Sequence, residues 1–167
     1  ARERSAAEVR GGEVTQEAIP PRFVADHMLG SLARWLRMMG YDTVYDKSLD
    51  DRELATFARA ENRFILTRDK ELAKEPGSLL IEKDDLDSQL RAAGERFGLR
   101  FTEDRIRCSA CNGELLDLPK DDAKDKVPEG AWQVNEKFWR CSKCDKVYWK
   151  GTHWNGIMDR LRRINLA

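Results

Sequence analysis

The sequence predicts an α/β protein: a mostly parallel sheet flanked by helices, followed by a small metal-bound module. Three observations carry this. Short apolar strands alternate with helical periodicity from Arg22 onward, a pattern that calls for crossover connections and parallel strands. Successive strands end on aspartates. After about residue 101 the alternation stops and two Cys-x-x-Cys units appear.

The elements follow in order. "RFVAD" (22–26) is a strand, and "MLGSLARWLRMMG" (28–40) is a helix with Leu29, Leu32, Trp35, Leu36 and Met39 in helical phase and Gly40 where a C-cap belongs. "DTVYD" (42–46) is a second strand. "DDRELATFARAEN" (50–62) is a helix with Leu54, Phe57 and Ala58 on one face, and Asp50 stands three residues before Glu53, the spacing of a capping box. "RFILTRD" (63–69) is the third strand, "KELAKE" a short helix stopped by Pro76-Gly77, and "SLLIE" (78–82) the fourth strand. "DDLDSQLRAAGERFG" (84–98) closes this part with Leu86, Leu90, Ala93 and Phe97 in phase. Residues 1–21 read as a tail or linker ending in Pro20-Pro21, residues 22–101 as the α/β domain, and residues 102–167 as the cysteine module with a basic C-terminal helix, "NGIMDRLRRIN". The acidic stretch "DLPKDDAKDKVPEG" reads as a solvated loop.

Composition narrows the function classes. Charged residues make up 36% of the chain and hydrophobic residues 41%, and Lys+Arg and Asp+Glu both number 30. Global charge therefore gives no pull toward nucleic acid, and any such binding needs a local basic patch. No apolar run is long enough to span a membrane, and no apolar stretch follows the charged N-terminal residues as in a secretory signal. A cytoplasmic, intracellular location is the expectation.

Cys108-Ser-Ala-Cys111 and Cys141-Ser-Lys-Cys144 are two knuckles of two thiols each. Four thiolates at tetrahedral corners are a structural zinc site with no open position for chemistry; redox thiols or two disulfides are the alternative. Gly113 and Asp145 follow the knuckles, where turns are expected.

The strand-end carboxylates are the other constellation. Asp26, Asp46 and Asp69 end the first three strands, and the fourth runs into Asp84 and Asp85. In an open parallel sheet these ends share one edge, the edge where ligands bind. Each aspartate alone is equally well a helix cap or turn former; together they suit Mg²⁺ or Mn²⁺ and phosphodiester hydrolysis. Arg34 and Arg37, one helical turn apart, and Arg68, beside Asp69, either neutralise these acids or bind phosphate.

At these residues the chain resembles a known family. "FVADHMLGSLARWLRMMGYDT", "DDRELATFARAENRFILTRDKEL", "CSAC", "CSKC" and "VYWKGTHW" occur in the order found in the mut-7 C-terminal RNase domain family, and the resemblance runs from about Arg22 to Arg160. It implies a PIN-like nuclease domain followed by a zinc ribbon. It implies metal-dependent hydrolysis of RNA, with single-stranded RNA the expected partner, by an acidic cluster that falls on Asp26, Asp51 (with Asp50 as competitor) and Asp69, binding Mg or Mn. The fourth acid falls on Asp84, Asp85 or Asp87. Cys108, Cys111, Cys141 and Cys144 would hold structural Zn. Expected RNA contacts are Arg34, Arg37, Arg68, Lys150, His153, Arg160, Arg162 and Arg163; His153 equally suits a packed histidine, and the helix arginines a solvated face. Trp132, Trp139, Trp149 and Trp154 either stack on bases or fill the small module's core. The competing expectation is a non-catalytic RNA-binding or protein-interaction module of a larger RNA-processing or RNA-silencing nuclease. A standalone microbial protein fits as well.

Overall fold

The computed structural model describes residues 18–167, so most of the expected tail lies outside the described residues. Strands β1 (Phe23–Ala25), β2 (Thr43–Tyr45), β3 (Phe64–Thr67) and β4 (Ser78–Leu80) form one sheet in the order β2-β1-β3-β4, every pair parallel. Helices α1 (Gly30–Met38), α2 (Asp51–Glu61) and α3 (Leu86–Phe97) complete this part, with one 3-10 turn at Leu72–Lys74. The mixed α/β fold with a helix-flanked parallel sheet is as the sequence predicts.

Alternation along the strands sorts the helices onto two faces. Phe23, Ala25 and Leu66 point into a core shared with Leu32, Leu36 and Met39 of the α1 segment and with Leu90 and Ala93 of α3. Val24 and Ile65 point the other way, onto Leu54, Ala55 and Ala58 of α2 and onto Leu72. The chain moves from β1 out to β2, then crosses back to β3 on the other side of β1. The segment after β1 therefore lies on one face and the turn after β3 on the other. That reversal is a topological switch point, and the crevice it opens lies at the carboxyl ends of β1 and β3.

The helix ends are locally determined. Asp50 caps α2 in a capping box, accepting from Glu53 N at 2.8 Å while Glu53 Oε2 accepts from Asp50 N at 2.9 Å. Asp85 caps α3 by accepting from Ser88 N. Gly40, at φ 102°, takes the left-handed turn that ends α1.

The second module is an antiparallel sheet of β5 (Leu115–Leu118), β6 (Phe138–Cys141) and β7 (Val147–Trp149), in that order. Its acidic insert differs from the solvated loop expected. Two short helices form there, α4 (Lys120–Ala123) and α5 (Glu129–Val134), each led by a proline, Pro119 or Pro128, whose fixed φ suits a helix start. The insert closes around Trp132, which donates to the Lys120 carbonyl and lies under the Lys120 and Lys124 ammoniums.

Helix α6 (His153–Arg163) follows the ribbon in sequence but packs on the parallel-sheet core: Leu161, Ile164 and Leu166 are buried with Leu36 and Leu90. Each such side chain contributes about 1.5–3 kcal/mol by leaving water. Among the described residues no helix is long and apolar enough to cross a membrane.

Candidate active site and metal centre

The apolar run of β1 ends at Asp26, which is only 3% exposed. A buried carboxylate needs donors, and the strand ends supply three. Asp26 Oδ1 accepts from Met28 N at 2.9 Å; Oδ2 accepts from the Thr67 hydroxyl at 2.5 Å and from Arg68 N at 2.8 Å. Thr67 Oγ1 in turn accepts from Asp69 N at 2.9 Å. One buried hydroxyl thus ties the acid ending β1 to the acid following β3, within the switch-point crevice. Thr67 carries no charge and lies inside the stretch read as the third strand, so its role was missed; its one sequence signal is its place two residues before Asp69.

Asp69 also does what an isolated strand-end aspartate was expected to do. Its Oδ1 caps the following turn, accepting from Glu71 N and Leu72 N. Its Oδ2 makes no hydrogen bond among the described residues. Asp51 is exposed at the first position of α2, with its side chain free of hydrogen bonds among the described residues, while its neighbour Asp50 is committed to the cap. Asp26 does not cap α1, whose N-cap is Leu29.

The remaining strand-end acids each have a local partner. Asp46 accepts from Ser48 N and the Ser48 hydroxyl, which holds its carboxyl below the usual range. Asp84 pairs with Arg68 at 2.5 Å, and Arg68 also donates to the Lys83 carbonyl. Asp87 pairs with Arg160 and Arg163, and the Arg160 hydrogen bond lowers its pKa against the opposing effect of burial.

The predicted RNA contacts separate into committed and free groups. Arg37 is a correction. It is 6% exposed and donates to the carbonyls of Thr43, Ser109 and Ala110, so its donors are occupied inside the protein. Burial lowers its pKa from the usual arginine value. Arg160 and Arg163 fasten α6 to Asp87, and Arg160 also lies over Trp35. Arg162 pairs with Asp159, and Lys150 with Glu103. Arg34 and His153 are exposed and without a hydrogen-bond or ion-pair partner among the described residues.

The four cysteines converge. Their Sγ atoms all lie within 4.8 Å of one another, with Cys111 and Cys141 at 3.3 Å and Cys108 and Cys144 at 3.6 Å. A zinc ion with ~2.3 Å bonds to sulfur fits a tetrahedron of this size. The backbone is shaped for it. Asn112 and Asp145, each just past a knuckle, take left-handed φ of 67° and 59°. The turn expected at Gly113 falls one residue earlier, and Gly113 answers a different need: a Cβ there would lie 2.5 Å from Cys141 Sγ. Burial pushes the Cys108 thiol up, but hydrogen bonds from the Tyr148 hydroxyl and the Cys111 and Ala110 backbone outweigh it and hold the thiol at about 6. Among the described residues no second set of His, Cys, Asp or Glu ligand atoms converges in this way. Asp26, Asp51 and Asp69 are therefore not a ready-made cage of three direct ligands. Free oxygens remain on Asp69 and Asp51, and Mg²⁺ ordinarily takes only one or two carboxylates and completes its shell with water.

The ribbon docks on the sheet edge opposite the acids. Asn112, buried, accepts from Thr43 N at 3.0 Å and donates to Asp42 Oδ1 at 2.7 Å. Asp42 also takes two bonds from Arg63 and one from Arg22. Burial pushes the Asp42 carboxyl up, yet the Arg63 and Asn112 hydrogen bonds prevail and hold it far below the usual carboxylate range.

Parallel strands with buried Asp26 at their carboxyl edge, and a four-cysteine cluster able to hold a zinc ion, define an α/β domain with an attached cysteine ribbon. The chain matches the Mut7-C RNAse domain family over residues 21–161, and it belongs to that family. Comparison with curated proteins and with solved structures finds no match.

Proposed function

We propose that this protein hydrolyses RNA phosphodiester bonds at the acidic rim, with single-stranded RNA as substrate. The observation that carries the reading is the Asp26–Thr67–Asp69 linkage at the switch point. A carboxylate buried to 3% exposure at a strand tip has no packing purpose there, and three donors fix its orientation. Asp69 offers its unbonded Oδ2 beside it, and Asp51 stands at the neighbouring helix start. Asp26 and Asp69 would hold Mg²⁺ or Mn²⁺, which supplies activation of water and charge neutralisation at phosphorus. Arg34, without a partner among the described residues on the helix that leaves the rim, contacts the RNA backbone. Arg68 is held in place by Asp84 and the Lys83 carbonyl, and a phosphate competes with Asp84 for its guanidinium.

The test is cleavage of end-labelled single-stranded RNA by the zinc-loaded protein. Cleavage is expected in Mn²⁺, not when Mg²⁺ and Mn²⁺ are withheld, and not for Asp26→Asn. RNA binding without cleavage in either metal would overturn the reading in favour of a non-catalytic RNA-binding module.

A further inference from the structure

Half-buried aromatics gather where the ribbon, α1 and α6 meet, and they line a cavity of about 530 Å³, a size typical of ligand sites. One wall is a row on the ribbon sheet. Asp117 pairs directly with Trp139, and Trp139 with Tyr148; residues paired across strands share a face. Facing them are Trp154 of α6 and Met38 at the end of α1.

These groups are held from behind. The Tyr148 hydroxyl lies 3.0 Å from Cys108 Sγ and 3.3 Å from Ser109 Oγ, so the metal knuckle positions its ring. Trp154 packs edge-on against Phe101, with the Lys150 ammonium 5.2 Å from its centroid.

The chemistry on offer is specific. The indole N–H of Trp132 is used internally, on the Lys120 carbonyl, whereas solvent-accessible indole N–H groups are open to a ligand. Those of Trp139 and Trp154 have no partner among the described residues, and the exposed Asp117 carboxylate beside them is also unpaired. Charge is close to balanced: Glu103 neutralises Lys150, and Asp104 and Asp117 offset Arg107. The cavity is therefore not a phosphate site. It presents flat aromatic faces, N–H donors and a carboxylate acceptor, which match the faces, ring acceptors and amino groups of a nucleobase. An aliphatic peptide side chain would leave the donors and the carboxylate unmatched.

We infer that this cavity is a nucleobase subsite, anchoring an RNA strand whose scissile phosphate lies at the acidic rim. The ligand class rests on the RNA-cleaving reading above. Helix α1 connects the two places, from Gly30 near the rim to Met38 at the cavity, roughly 12 Å at ~1.5 Å per residue. About four stacked nucleotides at ~3.4 Å each cover that span.

The test is anisotropy of labelled RNA of about twelve nucleotides, within the site size of ribbon-scale single-strand binders, without added Mg²⁺ or Mn²⁺. Trp139→Ala should weaken binding about tenfold, the factor equal to ~1.4 kcal/mol of lost stacking. Trp139→Phe should restore most of it, and a dinucleotide should not distinguish the variants. Zinc content reports folding of each variant. Independently of any substitution, RNA carrying 5-bromouridine should photo-crosslink to Trp139, Tyr148 or Trp154 in the unaltered protein. Equal RNA affinity of Trp139→Ala and the parent, or adducts only outside the cavity, would overturn the subsite. Mn²⁺-dependent cleavage without a Trp139 effect would overturn the subsite alone; Trp139-dependent binding without cleavage would overturn the cleavage reading alone.

Discussion

The two edges of the parallel sheet are built on opposite principles. At the amino edge the Asp42 carboxylate takes four hydrogen bonds, from Arg22, Arg63 and Asn112, and Arg37 and Asn112 lock the ribbon to the core; only Arg63 Nε is left buried without a partner among the described residues. At the carboxyl edge, Asp26 is equally well held, but Asp69 Oδ2, Asp51 and Arg34 are left with bonding capacity. A carboxylate saturated with donors stabilises; an edge whose oxygens and cation have no partner among the described residues is available to bind. The contrast teaches that charge alone does not mark a site. Asp42 and Asp26 are both strand-flanking, partly or fully buried aspartates, and the accessible bonding capacity beside Asp26 is what tells their roles apart.

The contrast can be broken first at the metal. Cys141→Ser, or zinc removal, should abolish zinc binding and melt the ribbon, because apparent zinc-binding free energies of about 10–16 kcal/mol are folding energy in such modules. Zinc content and near-UV circular dichroism read this. The core should lose stability too, since Arg37 and Asn112 lose their partners.

Asp42 comes next. Asp42→Ala leaves Arg63, whose side chain is 6% exposed, without its carboxylate, and should cost about 3 kcal/mol in urea unfolding at pH 7. The sign with pH follows from the depressed pKa. The Asp42 contribution is present above the unfolded carboxylate pKa of about 3.9 and is lost progressively as pH falls below it. The stability gap between parent and variant should therefore narrow toward pH 3.

At the carboxyl edge, Thr67→Val removes the hydroxyl between Asp26 and Asp69 while keeping shape. Loss of the donor to a buried carboxylate should cost about 1–3 kcal/mol in stability, and RNA cleavage should fall more than RNA affinity. The smallest effect is expected at Arg34→Ala: stability within about 0.5 kcal/mol, with RNA affinity modestly weaker and the salt slope of binding reduced by about one.

How far the sequence reaches is instructive at particular residues. The strands and helices of the sheet were legible because alternation and helical phase are local, and the Asp50–Glu53 box because capping spans three residues. The convergence of the four cysteines was legible because Cys-x-x-Cys spacing brings its two thiols together locally. Arg37 was misread as a ligand contact because its partners, Ser109 and Ala110, lie more than seventy residues away in sequence. Asp42 and Asn112 were overlooked for the same reason. The acidic insert was read from composition, which did not reveal that Pro119 and Pro128 start helices around Trp132. The destination of α6 was hidden because an amphipathic helix shows which face is buried but not against what.

The central claim is that the carboxyl edge performs RNA cleavage through Asp69 as well as Asp26. Asp69→Asn tests it most directly, because asparagine caps a turn about as well as aspartate and so isolates chemistry from folding. Melting temperature, zinc content and RNA affinity should match the parent while Mn²⁺-dependent cleavage falls at least about a hundredfold, equivalent to ~2.7 kcal/mol of barrier. Unchanged cleavage by a properly folded Asp69→Asn protein would contradict the account.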